Sequence, residues 1–214
     1  PVLVTLVYLY WSGYGQMDWL GGVWALVNIV LFHAAGNTWS DYFDYKKGVD
    51  TPQTHGATTL TSGQFAPGEI KWLSISLLLV ALFGGIGLML MTGWPLFWYG
   101  VGGALCVLLY PFLKYRALGD VVIAMAYAWL PCWGTSYVAT GAVDMRVWLL
   151  ALPLGGITVA ILHVNNTRDV RTDAEAHITT LAMKLGHTIS SRLYQFYLLF
   201  PFACLVACVV FGLF

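Results

Sequence analysis

Asn37, Asp41 and Asp44 stand at i, i+4 and i+7 in NTWSDYFDYKKGVD (residues 37–50). Far downstream, in HVNNTRDVRTD (residues 163–173), Asn165, Asp169 and Asp173 stand at i, i+4 and i+8, with Asn166 three before Asp169. Each spacing puts an amide and two carboxylates on one face of a helix. Carboxylate and amide oxygens suit a hard divalent cation, and Mg²⁺ commonly binds through one or two carboxylates plus substrate phosphates. Two facing clusters could therefore hold metal ions against one diphosphate. Arg168, and Lys114 from an intervening segment, would add cationic contacts to phosphate oxygens. The clusters begin 128 residues apart (165 minus 37) and read as a faint internal repeat of about four helices.

The elements that carry them are apolar. The chain has 214 residues, of which 59% are hydrophobic and 9% charged, too few charges to solvate the surface of a soluble domain. Charge-free runs occupy 19–40, 72–113, 121–143, 147–167 and 193–214. A span needs roughly 20 apolar residues, so each run is one span except 72–113, which holds two separated by the turn Thr92-Gly93-Trp94-Pro95. Residues 1–15 add a seventh. The expected class is an all-α polytopic membrane bundle, one membrane-embedded domain over 1–214, and nothing points to a nucleic-acid partner.

Numbering the spans 1–15, 19–40, 72–91, 95–113, 120–142, 147–167 and 193–214 makes the loops alternate sides. Lys46, Lys47, Lys71, Lys114, Arg116, Arg168, Arg171, Lys184 and Arg192 fall on one face and Arg146 on the other, so the first face is expected to be cytoplasmic. Most acids gather on that same face, which the positive-inside rule does not explain. Acids just beyond a membrane helix are usually solvated caps. Two clusters sharing spacing, composition and membrane face argue against that reading. Cys106, Cys132, Cys204 and Cys208 lie in apolar spans without metal-ligand spacing and read as packing residues. His33 and His163 lie near the motif faces at membrane depth, while His55, His177 and His187 read as loop residues.

Taken together, Asn37–Thr51 (NTWSDYFDYKKGVDT), Lys114–Asp120 (KYRALGD), Asn165–Asp173 (NNTRDVRTD) and, more weakly, Thr180–Gly186 (TLAMKLG) resemble the UbiA superfamily of intramembrane prenyltransferases. Within it the menaquinone branch, 1,4-dihydroxy-2-naphthoate polyprenyltransferase, is the nearest likeness. The resemblance implies nine helices, of which about seven would be present, and the chain reads as cut at both ends. Ser40 stands where the family's first motif often has Asn, and Gly48 where several members carry a third Asp. The loop THGATTLTSG lacks an Arg common among relatives, and His177-Ile178-Thr179-Thr180 replaces a Gly-Lys-Arg-Thr run.

The reading that follows is Mg²⁺-dependent transfer of a polyprenyl group from a prenyl diphosphate to an aromatic acceptor, dihydroxynaphthoate first among them. Asp41, Asp44, Asp169 and Asp173 are the expected metal-holding and catalytic residues. Asn37, Asn165, Asn166, Lys46, Lys114 and Arg168 are the expected diphosphate contacts. Asp50, Asp120, Tyr110 and Tyr115 are further candidates, and Tyr42, Phe43 and Tyr127, with Tyr110 and Tyr115, are candidates for lining the path of an allylic cation by cation–π attraction. The expected setting is a bacterial inner membrane with the site facing the cytoplasm. Rival readings are another acceptor (4-hydroxybenzoate, homogentisate, glycerol phosphate, a porphyrin alcohol), an ion-coupled transporter, or an inactive homologue. A transporter would carry its acids near mid-membrane, and here they sit at one face.

Overall fold

A computed structural model describes residues 1–13, 16–54 and 56–212. Among these residues the secondary structure is helical, with no strand beyond one isolated bridge between Arg116 and Thr179. The helices are α1 (Val2–Trp11), α2 (Trp19–Lys47), α3 (Thr58–Thr61), α4 (Pro67–Thr92), α5 (Leu96–Lys114), α6 (Gly119–Thr140), α7 (Met145–Arg168), α8 (Val170–Glu175) and α9 (Leu181–Val210). Six of them are long and apolar enough to cross a membrane, and α1 is a shorter apolar helix, which makes the seven expected from the charge-free runs.

Local chemistry explains the boundaries. The Asp18 carboxylate accepts the Gly21 N–H at 2.8 Å and so caps the start of α2. At its other end Gly48 turns left-handed (φ 74°), its N–H bonded to Tyr45 O and that of Val49 to Asp44 O. That conformation favours glycine over a residue with a Cβ. Pro67 opens α4, and Glu69 reaches back to the Ala66 N–H at 2.7 Å. The expected turn at Thr92–Pro95 is present, with Gly93 at φ 114°. Inside α6, residues Met125–Trp129 widen into a π-helical turn just before Pro131. Pro131 brings no N–H to the Tyr127 carbonyl four residues back, so the regular ladder cannot close there.

Two boundaries depart from the expectation. The last helix starts at Leu181 rather than near 193, bending at Gly186 (φ 71°), so Lys184 and Arg192 lie on a helix and His187 is helical rather than in a loop. The sixth span does not run on through the second acid cluster. Its last residue is Arg168, and Asp169 (φ −93°, ψ 10°) ends it and starts α8. His177 is in a loop at φ 55°, and His55, Tyr14, Gly15, Leu213 and Phe214 lie outside the described residues. The π turn in α6 carried no recognised sequence signal.

In the packing, α2 lies along α4 and α7 along α9, so the helix that carries or leads into each acid cluster packs against the next long helix after it. One core cluster joins α1 to α6 and α7 through Leu6, Leu9, Cys132, Val147 and Ala151. Cys132 and Cys208 are buried and all four cysteines are free thiols, which agrees with packing roles.

Candidate active site

The ends of α2, α5 and α7, together with α8 and the loop after α2, enclose a polar cavity of about 320 Å³. Asn37, Asp41, Asp44 and Asp50 line it from one side, and Asn165, Asn166, Arg168, Asp169 and Asp173 from the other. Lys114 and Tyr110 from α5 complete the wall, and Ile123 and Leu162 form apolar floor. The two sequence clusters therefore face one space, although the break at Asp169 places Asp173 on a separate short helix.

The carboxylates are not equivalent. Asp44 is 6% exposed and its oxygens are taken: Lys114 Nζ lies 2.5 Å from Oδ2, the Ser40 hydroxyl donates to Oδ2 at 3.1 Å, and the Tyr115 hydroxyl donates to Oδ1 at 2.7 Å. Asp44 would ligate a metal only by loosening its hold on Lys114. Ser40, an apparent departure in the sequence, thus belongs to a built contact, its Oγ also accepting from Lys114 at 3.2 Å. Asp169 is held in bidentate fashion by the adjacent Arg168, at 2.7 and 2.6 Å, on the outer rim.

Asp50 and Asp173 have no such cation. Burial first, and then the nearby Asp44 carboxylate, raise Asp50 to about 6 against the partial offset of Lys114. Burial and the Asp169 carboxylate likewise raise Asp173 to about 6. Crowded carboxylates that resist ionising together are what a divalent cation would relieve. Among the described residues no three His, Cys, Asp or Glu side chains converge closely enough to chelate a metal by themselves. The donor set fits a hard cation that completes its shell with diphosphate oxygens and water, as Mg²⁺ does.

The connecting loops position these groups. Ala117 in the left-handed region (φ 64°) reverses the chain after α5, and the Thr179 N–H donates to Tyr115 O at 3.0 Å, tying the Lys114–Asp120 segment to the start of α9. Burial and Asp44 push the Tyr115 phenol well above its ordinary value, so it remains a donor. Thr54, Gly56, Thr172 and Thr180 also line the cavity, none of them a sequence candidate. A Cβ on Gly56 would overlap the Asp50 carboxylate.

Other candidates lie apart. Lys46 is outside the wall, its ammonium 5.9 Å from the Tyr42 ring. Tyr42 and Phe43 pack with Trp39 and Phe112 in an aromatic cluster beside the site rather than in it. Tyr127 donates to Asn37 Oδ1 at 3.0 Å and stacks on His33 at 4.0 Å. Asp120 does not line the cavity. It is buried in the first turn of α6, its Oδ2 2.9 Å from His163 Nδ1, while His163 Nε2 meets Ser190 Oγ at 2.8 Å and Ser190 meets Thr167 Oγ1 at 2.7 Å. This chain of polar groups pins α6, α7 and α9 just below the Asn165–Asp169 segment, and no sequence spacing showed it.

Residues 2–214 match the UbiA prenyltransferase family. The chain is 32% identical over 217 residues to UbiA prenyltransferase domain-containing protein 1 of Danio rerio, covering 92% of this chain and 59% of that protein. It is 30% identical over 215 residues to the protein of the same name from Homo sapiens, covering 91% and 59%. Against the 1,4-dihydroxy-2-naphthoate octaprenyltransferase of Haemophilus influenzae it is 29% identical over 202 residues, covering 89% and 65%. The chain thus spans about 59% of the first of these relatives. With the family match covering nearly every residue and both acid clusters lining one cavity, the chain belongs to the UbiA prenyltransferase family.

Proposed function

We propose that this chain carries the catalytic cavity of an Mg²⁺-dependent prenyltransferase that moves a polyprenyl group from its diphosphate to an aromatic acceptor, with 1,4-dihydroxy-2-naphthoate as the acceptor. The observation that supports this most is the shared cavity, in which carboxylates from two distant segments surround a half-buried lysine above an apolar floor.

Asp41, Asp50, Asp169 and Asp173, with the amides of Asn37, Asn165 and Asn166, would hold Mg²⁺. When bound, the ion supplies positive charge against the diphosphate leaving group. Lys114 offers its ammonium to a diphosphate oxygen, and Asp44, Ser40 and Tyr115 fix where that ammonium sits. Arg168 at the rim exchanges Asp169 for a phosphate as substrate enters. Breaking the allylic carbon–oxygen bond sends its electron pair to the diphosphate. Groups that stabilise the charge growing there lower the barrier because they act more strongly in the transition state than before it. A ring carbon of the acceptor then forms the new carbon–carbon bond, and the carboxylate on that carbon leaves as CO₂. Ile123 and Leu162 keep water from the allylic cation, and the Tyr110 ring, 5.4 Å from Lys114 Nζ, presents an aromatic face to it.

The lysine and arginine asymmetry supports a site on the cytoplasmic face of the membrane, and a bacterial inner membrane is part of the same proposal. Product mass analysis tests the whole reading. Purified protein supplied with Mg²⁺, a prenyl diphosphate and a panel of acceptors should yield prenylated, decarboxylated product from dihydroxynaphthoate. Turnover of 4-hydroxybenzoate or another acceptor with dihydroxynaphthoate inert would overturn the choice of acceptor.

A further inference from the structure

Pro131 leaves one main-chain group of α6 without its ordinary partner. In the π turn the Leu130 N–H reaches Met125 O, five residues back. The next carbonyl, that of Ala126, would take the N–H of residue 131 in the same register, and proline has none. A main-chain carbonyl inside a membrane bundle seldom stays unpaired. His33 of α2 fills the place, its Nε2 3.1 Å from Ala126 O. A carbonyl only accepts, so Nε2 carries the hydrogen and the imidazole is held in one orientation.

That ring is the seat for Tyr127. The two rings stack with centroids 4.0 Å apart and planes 18° from parallel. The Tyr127 hydroxyl reaches on to the next turn of α2 and donates to Asn37 Oδ1 at 3.0 Å, His33 and Asn37 standing four residues apart on one helix face. Tyr127 belongs to the π turn itself. Such a turn carries one residue more than an α turn, which swings the side chains beyond it by about 100° relative to an unbroken helix. Helix register, proline and imidazole together aim one phenol at one amide.

Asn37 lines the acid cavity, whereas neither His33 nor Tyr127 does. The Tyr127 hydroxyl is the only hydrogen-bond partner of the Asn37 amide among the described residues. Without it the amide is free to turn end for end, and the carboxylate of Asp41, one helical turn further on in the same cavity, would draw its N–H groups. With it, one lone pair of Oδ1 is committed to Tyr127. The other lone pair and the two Nδ2 hydrogens are left, in a fixed orientation, for what fills the cavity. We propose that Tyr127, seated on His33 at the π turn, is a positioning residue that fixes the Asn37 amide for Mg²⁺ bound with diphosphate. This role rests on the reading of the cavity as a metal–diphosphate site, and it extends that site to two residues that touch no ligand. Partners that orient metal-holding groups in this way are worth about tenfold to a hundredfold in affinity.

Calorimetric binding of inorganic pyrophosphate with Mg²⁺ to the full chain in lipid nanodiscs tests the role without any turnover. Tyr127→Phe keeps the stacked ring and removes only the hydroxyl. It should weaken binding about tenfold and leave the thermal midpoint unchanged. Asn37→Ala should show a loss of the same size. Because the two groups act as one unit, the double variant should lose about tenfold, not the roughly hundredfold of two independent sites. His33→Ala takes away the ring under Tyr127. It should match Tyr127→Phe when made alone and weaken binding no further when added to Tyr127→Phe. Parental affinity in Tyr127→Phe, losses that multiply in the double variant, or a loss that tracks a fall in the thermal midpoint would each overturn the positioning role and leave the metal–diphosphate reading intact. Failure of the parent protein to bind pyrophosphate with Mg²⁺ would overturn both.

Discussion

Replacing Lys114 with Gln separates the two tasks that the structure gives this side chain. Its ammonium forms a short ion pair with Asp44, and its stem is mostly covered, with a side-chain exposure of 20%. Removing the charge leaves a carboxylate that is 6% exposed with the Tyr115 and Ser40 donors only. Stranding one partner of a hydrogen-bonded buried pair costs about 1–3 kcal/mol, and the two remaining donors keep this case near the lower end. For a chain of this size, that is a fall in thermal midpoint of roughly 2–4 °C per kcal/mol. The catalytic loss should be much larger. A preorganised donor aimed at developing charge is worth about 10²–10³ in kcat, and the glutamine amide carries no full charge. Pairing Lys114→Gln with Asp44→Asn removes both charges, so the double variant should regain most of the thermal midpoint and none of the rate. Single-turnover prenyl transfer with saturating substrates, read beside melting curves of the same preparations, gives both quantities. A single variant within twofold of the parent rate, or a double variant that recovers rate together with stability, would refute the view that Lys114 acts on the leaving group.

Gly56→Ala forces a methyl into the Asp50 carboxylate and should raise the Mg²⁺ concentration needed for half-maximal rate several-fold with little change in melting, which a metal titration reads directly. Asp50 and Asp173, each raised to about 6, hold protons in the metal-free fold that the unfolded chain, near 4, has already lost. Stability of the metal-free protein from these groups should therefore fall as pH rises from about 4 to about 6 and then level off. Mg²⁺ affinity should change the opposite way, weakening as pH drops below about 6, with proton release on binding seen calorimetrically at pH 5.5 and absent at 7.5. His163→Ala removes one partner of the buried Asp120 carboxylate, leaving it the Tyr197 hydroxyl, and breaks the link from α6 through Ser190 to Thr167. It should cost about 1–3 kcal/mol, visible as a drop in the melting midpoint, and Asp120→Asn added to it should restore part of that loss.

How far the sequence carried this reading depends on whether a feature is repeated along the chain or assembled across it. Seven apolar helices and the Thr92–Pro95 turn were legible because hydrophobic length and Gly/Pro chemistry act locally. The facing of Asn37, Asp41 and Asp44 was legible because α2 continues unbroken to Lys47 and preserves the helical period. The same argument misread Asp173. Nothing in RDVRTD announces that the helix stops after Arg168, yet the stop is what lets Asp173 turn under the cavity instead of following the axis of α7. Contacts across the fold were beyond any spacing rule: Ser40 and Tyr115 on Asp44, Gly56 against Asp50, and the Asp120–His163–Ser190 chain. They share a logic. Each pairs a polar side chain near one helix end with a partner on another element, so that a charge or donor needed at the cavity is held by something that cannot rotate away. Lys46 shows the converse. It has the right charge and the right place in the motif but no such partner among the described residues beyond the Tyr42 ring, and it stays outside the wall. Residue type nominated the candidates, and the second partner of each side chain decided which of them reach the site.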